Sequence, residues 1–384
     1  MPFPLEGLRV LELARIVAGP YAGRLMSDLG ADVVKLEAAD GDLARVWGEQ
    51  RHGLSGFYTQ QNAGKRNISV DLKAQGGAEL ALRLAAAADV VIENFRPGVL
   101  TRLGLGWDVL HAANPRLVLL SVTGFGQTGP NVGRQAFAPV VHAESGLIAR
   151  QAFFDEAAPT DPVLSIADTN AALHGLSAVL AALLMRERTG HGQHVDVAMF
   201  DAMLATDDYS HHALDGFPVR RLGGEVWDAP GGPIMIAGEF RNTWVQVRDV
   251  HSLADPAPPN AELPEKIRLR RTAVAAWITA FSDRTTLVEA LERANMAWGD
   301  VRTAEQAFAS PLAAERRLIA AVDDRGGGVR RVVQAPYKFS GADSGVQGPA
   351  AHRGEHNAEV LAEWLGAGAD EVADLVEAGV LLTS

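Results

Sequence analysis

Apolar residues in the first half of the chain fall into short runs that alternate with stretches of helical period. Residues 8–13 (LRVLEL) read as a buried strand, and a helix follows from Pro20, at its first position, to about residue 29. Gly30 ends that helix and residues 32–37 (DVVKLE) read as a second strand. Residues 41–67 are polar and irregular, and hold Trp47, His52 and the cluster Gly64-Lys65-Arg66-Asn67. Strands are then predicted at 68–72, 89–93 and 116–123, with helices at 77–87 and 107–113 between them. Such alternation gives a mainly parallel sheet covered on both faces, with ligands beyond the carboxyl ends of its strands. The loops to watch are therefore 14–19, 94–98 and 124–130.

The stretch 164–204 is the most strongly patterned in the chain. An apolar lead-in ends at Ala167, Asp168 stands where a helix begins, and helical spacing runs from 169 to about 188. Gly190 and Gly192 stop it, and 194–200 alternates like a strand. Asp168 is thus a carboxylate at a helix N-terminus, where free N–H groups and the macrodipole favour negative charge. Its residue type and place fit a helix cap as well as a reactive group. The apolar core of this helix, 171–185, is too short to span a bilayer and carries His174 and Ser177, so it reads as a buried core helix.

The texture changes after Tyr209. Residues 217–264 are rich in Gly and Pro, with strand-like runs at 233–237 and 244–248, and helices follow near 271–281 and 285–294. Gly326-Gly327-Gly328 reads as a hinge, and helices at 357–365 and 369–378 close the chain. The expected organisation is a large domain over 1–206, a linker over 207–225, a smaller domain over 226–325, and a C-terminal segment, 326–384, that returns to the large one.

Composition narrows the function. With 47% apolar and 21% charged residues in 384, the chain suits a soluble globular protein. A net charge of −12 argues against nucleic acid or an anionic membrane as partner. The absence of cysteine removes disulfides and thiolate chemistry and fits a cytoplasmic setting, and the start MPFPLEG lacks the pattern of a signal peptide. Gly124, Gly126 and Gly129 satisfy G-x-G-x-x-G, but Pro130 follows at once and Asn131-Val132-Gly133 prolongs the loop, so no helix opens there and no nicotinamide or flavin site is expected. The pairs His191/His194 and His211/His212 have no carboxylate to complete a ligand set, so no metal is expected, and no G-x-S-x-G elbow is present. Arg15, Lys65, Arg66, Arg96, Arg102 and Arg134 are ordinary one by one. Several fall in loops at the ligand end of the sheet and, with the helix start at Gly19-Pro20, could hold phosphates.

Taken together, ARIVAGPYAGRLMSDLGADVVKLE, NAGKRNISVDLK, DVVIENFRPGVL, NPRLVLLSVTGFGQTGP and TGHGQHVDVAMFDAML resemble the family III CoA-transferases of the CaiB/BaiF type, the group of formyl-CoA:oxalate and carnitine CoA-transferases. The likeness runs from Leu5 to about Leu204 and thins beyond Gly216. It implies an α/β fold in which a large Rossmann-like domain with a mainly parallel sheet is joined to a smaller α+β domain, two chains being threaded into an interlocked homodimer. It also implies transfer of coenzyme A between an acyl-CoA and a free carboxylic acid, with acyl-CoA as substrate and neither metal nor redox cofactor. Asp168 matches the family's nucleophile. Its CoA contacts fall on Arg15, Ile16, Ala18, Asn94, Phe95 and Arg102, and Lys65 and Arg66 match its pattern. Gly124, Gly126 and Gly129 are the candidates to frame the acyl pocket and the oxyanion, because glycine permits close backbone approach.

Two positions depart from the family. Ala38 stands where a basic residue often reaches the nucleotide end of CoA, and Ala138 where many transferases carry an acid that positions the nucleophile. The related α-methylacyl-CoA racemases pair the aspartate with a histidine where this chain has Phe137. Racemisation needs two acid–base groups and the sequence offers one. A racemase and a catalytically silent CoA-binding homologue are the alternatives.

Overall fold

Six short apolar strands build the central sheet: β1 (Arg9–Glu12), β2 (Asp32–Glu37), β3 (Arg66–Ser69), β4 (Val90–Glu93), β5 (Val118–Thr123) and β6 (His194–Ala198). In this computed structural model, which describes residues 1–207, 210–218 and 223–383, they pair in the order β3-β2-β1-β4-β5-β6, every pair parallel. Val10 lies between Val33 and Val90. Because side chains alternate along a strand, Val10, Val90 and Val118 feed one apolar core while Leu11, Val91 and Leu119 feed another on the opposite face.

The first face is covered by α1 (Ala18–Asp28), α7 (Ile166–Thr189) and α8 (Met199–Thr206), and the second by α3 (Gly77–Ala86), α4 (Trp107–Ala113) and α12 (Asn357–Leu365), with α13 (Ala369–Glu377) beyond it. Three further helices, α2 (Gly56–Asn62), α5 (Ala138–Glu144) and α6 (Leu147–Asp155), have no counterpart in the sequence pattern.

The chain divides into Met1–Asp208 with Glu315–Ser384, and Tyr209–Ala314. The expected linker, 207–225, lies partly outside the described residues. In the second unit β7 (Gly224–Trp227), β8 (Ile234–Ala237) and β9 (Trp298–Asp300) form an antiparallel sheet in the order β9-β8-β7. Helices α9 (Phe240–His251), α10 (Leu263–Thr279) and α11 (Arg284–Arg293) share its core through Trp244, Val247, Val274, Ile278, Leu287 and Leu291.

Several expectations are corrected. Residues 244–248 are helical, not extended: Trp244 and Val247 are both buried at the spacing of a helix face, and the alternation of WVQVR is incidental. The strand at 194–200 stops at Ala198, where α8 begins. Gly326-Gly327-Gly328 is not a hinge but the turn of an antiparallel hairpin, β10 (Ile319–Asp323) and β11 (Val329–Val333). The Asp324 carboxylate closes that turn by accepting the Gly326 and Gly328 N–H groups at 2.9 Å each.

Helix α7 is 24 residues long, longer than its apolar core 171–185, and by length and composition alone it could cross a membrane. Packing decides its role. Ala171, Leu176 and Val179 are buried in the core. A Cβ on Gly175 would lie 3.0 Å from a Leu120 methyl, so helix and strand are in close contact.

Candidate active site

Strand order reverses between β1 and β4, so the loops leaving their carboxyl ends diverge and open a crevice, the usual ligand position in a sheet of this order. Two side chains close its floor. The Arg15 N–H donates to Asn94 Oδ1 at 2.9 Å and Asn94 Nδ2 donates to the Arg15 carbonyl at 2.8 Å. Ile16, a β-branched residue held at φ +70°, donates its N–H to the Asp42 carboxylate at 3.1 Å. A left-handed isoleucine costs on the order of 1–3 kcal/mol and persists only where its surroundings over-determine it. Ala18 then opens α1, whose start has no side-chain cap, leaving N–H groups free for an anion. Gly19 is required here, since its Cβ would lie 2.1 Å from that of Ala14.

Under this loop lies a buried ionic cluster. Glu12 is completely buried, and Lys35 and Lys65 are each 1% exposed. Lys35 Nζ donates to Glu12 at 3.1 Å and to the Ala14 carbonyl at 2.7 Å, and pairs with Asp42 at 3.0 Å. Burial would lower the Lys35 pKa, but Glu12, Asp42 and Glu37 outweigh it and hold it raised. Lys65 Nζ reaches Glu12 at 2.7 Å, the Pro20 carbonyl at 2.8 Å and Asn62 at 3.0 Å, and burial lowers its pKa to about 8. The expected role of Lys65 in binding CoA is thereby corrected: its ammonium is sealed below the loop. Arg66 is corrected too. It sits at the amino end of β3, opposite the ligand loops, bound to Asp32, Glu359 at 2.9 Å and Glu363 at 2.7 Å.

The other expected contacts stay at the carboxyl edge. Arg15 forms a two-bond pair with the exposed Asp40, at 2.8 and 3.1 Å. Phe95 is half-buried, its N–H donated to Glu93 at 2.8 Å. Arg102 is exposed, and its guanidinium has no bonded partner among the described residues. At Ala38, Arg353 from the C-terminal segment donates to the neighbouring Ala39 carbonyl at 2.5 Å, bringing a guanidinium to that loop. Sequence reasoning passed over Glu93. Burial raises its pKa to about 7 against the hydrogen bonds from Ser121 and the Phe95 N–H, with the charge of Asp196 adding to the rise.

The glycine loop leaves the end of β5. A Cβ on Gly124 would meet that of Ala136 at 2.3 Å, and Gly126 and Gly129 adopt φ of +88° and +98°. The Gly126 N–H donates to Thr123 Oγ1 and the Gln127 N–H to Asp196, each at 2.9 Å. Gly126 is therefore withdrawn as an oxyanion donor, because its only N–H is spent within the loop.

Asp168 is the third residue of α7 and not its cap; the capping position is Ser165, whose side chain makes no capping bond. Arg186, near the other end, bonds to Asp89 just before β4, and Gly175 lies over mid-strand Leu120, so the helix runs from the amino to the carboxyl edge of the sheet toward its own start. Asp168 lies seven residues, about 10 Å, beyond Gly175 in that direction. Its carboxylate is half-buried, with no hydrogen-bond or ion-pair partner among the described residues. Burial raises its pKa from 3.8 to about 6. That change corresponds to about 3 kcal/mol, larger than the roughly 1 kcal/mol by which a helix N-terminus favours the charge. Desolvation wins, and the group remains mostly ionised at neutral pH while poorly solvated.

Behind it stands His142 on α5, fully buried and one turn after Ala138. Its Nε2 accepts the Ala167 N–H at 3.1 Å and its Nδ1 lies 2.8 Å from Asp161. Its spacing, four residues after Ala138, becomes a shared helix face only once α5 has formed, and the sequence pattern gave no sign of that helix. Phe137 is exposed.

Together these features define a doubly wound α/β protein with a bare, poorly solvated carboxylate at the ligand edge of its sheet. The family described as CoA-transferase family III matches residues 5–357, well beyond the part in which the resemblance was read from sequence. A succinate–glutarate CoA-transferase of Agrobacterium fabrum is 34% identical, the match covering 94% of this chain and 95% of that protein. A formyl-CoA:oxalate CoA-transferase of Streptomyces avermitilis is 31% identical, covering 98% and 99%. The crystal structure of a CaiB/BaiF family protein from Brucella suis superposes with a TM-score of 0.80 at 31% identity, covering 95% of this chain and all of that one. The chain belongs to CoA-transferase family III.

Proposed function

We propose that this protein moves coenzyme A from an acyl-CoA to a free carboxylic acid with Asp168 as covalent carrier. The observation that carries the reading is the Asp168 carboxylate itself: unpaired among the described residues, half-buried, its pKa raised to about 6, and placed at the start of α7. A carboxylate of raised basicity that is still ionised at pH 7 attacks without an activating base, unlike a serine. An Asp168 oxygen adds to the thioester carbonyl and expels CoA thiolate, leaving a mixed anhydride. The thiolate then attacks the aspartyl carbonyl, releasing the donor acid and leaving an aspartyl–CoA thioester. An acceptor carboxylate attacks that thioester, and the expelled thiolate takes the new acyl group, restoring Asp168.

CoA is expected along the crevice between the loops after β1 and β4, with Arg15, Ile16, Ala18, Asn94, Phe95 and Arg102 as its contacts. Gly124 and Gly129 remain the backbone candidates at the oxyanion, each such donor being worth about 3–4 kcal/mol. Racemisation finds no support here, because His142 has both nitrogens engaged and Phe137 carries no acid–base group.

The test is isotopic. With an acceptor acid labelled in both carboxylate oxygens with ¹⁸O, turnover leaves one label on Asp168, read by mass spectrometry of its peptide. Turnover that leaves this peptide unlabelled overturns the covalent route.

A further inference from the structure

We infer that His142 is a positioning residue for Asp168, acting through the backbone of α7 and not on the substrate. The inference rests on the reading of Asp168 as nucleophile. Four N–H groups at a helix start lack intrahelical acceptors, and a side chain at the capping position usually takes one or two of them. Ser165 takes none. The Ala167 N–H goes instead to His142 Nε2, 3.1 Å away on another helix. An N–H donor fixes that nitrogen as the acceptor, so the ring proton sits on Nδ1 and is donated to Asp161 at 2.8 Å. One neutral, fully buried ring thus joins three pieces: α5, the segment before α7, and the amide of Ala167, the residue before Asp168.

Ala138, one turn before His142 on the same buried face of α5, has no polar atom with which to hold the carboxylate directly. The first turn of α7 is fixed from behind instead. By occupying the Ala167 N–H, His142 also keeps that donor from the neighbouring carboxylate, which stays unpaired. Asp161 sets the tautomer and orientation, as the outer partner of a working histidine commonly does.

The experiment compares His142→Gln with His142→Met. The two side chains are alike in size, and only Gln offers an oxygen to the Ala167 N–H. Thermal midpoint, KM for the acyl-CoA, kcat and the single-turnover rate of aspartyl–CoA formation are measured for each. A misplaced reacting group costs about a hundredfold in rate. His142→Met is expected to lose that much in kcat and in adduct formation with KM unchanged, and His142→Gln to stay within about tenfold of the parent rate.

Asp161→Leu and Asp161→Asn provide a second pair at a half-exposed site, useful if the methionine variant does not fold. Leu frees the ring and lowers kcat about tenfold, while Asn still accepts the Nδ1–H and keeps it. Equal kcat in the Gln and Met variants, a loss confined to KM, or native kcat in Asp161→Leu overturns the inference. Asp168→Ala serves as control: full turnover there overturns the parent reading, whereas a dead control beside a native-rate His142→Met overturns this inference alone.

Discussion

At the scale of single residues, environment separates groups that look alike in the sequence. Asp168 and Glu12 are both carboxylates near an edge of the sheet, yet one is unpaired and the other is shared by two lysines. If the ionised form of Asp168 is the reactive one, kcat/KM should fall tenfold per pH unit below about pH 6, and a flat profile down to pH 5 would contradict this. Stability should move the other way. A carboxyl raised in the folded state contributes stability that is complete below its unfolded value, near 3.8, and lost as pH rises through about 6. At pH 7.5 the buried charge therefore costs the fold up to about 3 kcal/mol, less whatever residual solvent screens. Asp168→Asn should abolish transfer and raise the denaturation midpoint at pH 7.5, with the gain shrinking toward pH 4; an unchanged midpoint at pH 7.5 would show that burial is not the cause. Lys65→Met should behave as a core lesion, losing about 3–5 kcal/mol of stability because Glu12 keeps only one of its two cations. A selective rise in KM for acyl-CoA at unchanged stability would instead return Lys65 to the binding site. The sequence placed Asp168 correctly at a helix start. It could not place Lys65 and Arg66, because Glu12, Glu359 and Glu363, which neutralise them, lie 53, 293 and 297 residues away along the chain.

At the scale of elements, close approach of backbones explains what the pattern of apolar residues does and does not reveal. β1, β2, β4 and β5 were legible because each is a short apolar run bounded by Gly, Asn or Pro, and a strand buried on both faces needs no alternation. α5 and α8 were not, since each is only two turns long and their apolar residues merge with the neighbouring loop or strand. Residues 244–248 misled because five residues of alternation satisfy a strand, and only the longer spacing from Phe240 to His251 shows the helix. Helix α1 lies against β1 through Gly23, where a Cβ would stand 2.0 Å from Glu12 Oε2 and 3.5 Å from Lys65 Nζ. Gly23→Ala should therefore push Glu12 off its lysines and destabilise the fold by several kcal/mol, about as much as removing one ion. Combined with Lys65→Met, the two losses should be less than additive, since both break the same cluster. Strict additivity in urea denaturation would mean that α1 accommodates the methyl group elsewhere.

At the scale of the whole molecule, α7 presents two faces with opposite needs. One lies on the sheet, while Leu173, Leu180 and Leu184 on the same helix are 42%, 36% and 61% exposed. Spaced seven and then four residues apart, they form one stripe, which a chain acting alone would leave against water. Phe153, Val163 and Leu164 from the stretch leading into α7 are exposed as well. We propose that a second copy covers this surface and that the two chains are interlocked, as the family resemblance implies. The large unit is built from two separate stretches of the chain, ending at Asp208 and resuming at Glu315. Sedimentation should then give twice 40.8 kDa. Threading makes a sharper demand than mass, because interlocked rings cannot separate without unfolding. Tagged and untagged protein mixed under native conditions should form no mixed dimer over days, even after dilution to nanomolar concentration, and should form it once unfolded and refolded together. Mixed dimers within minutes would indicate two chains that merely abut, and a monomer would leave the stripe on α7 without this explanation.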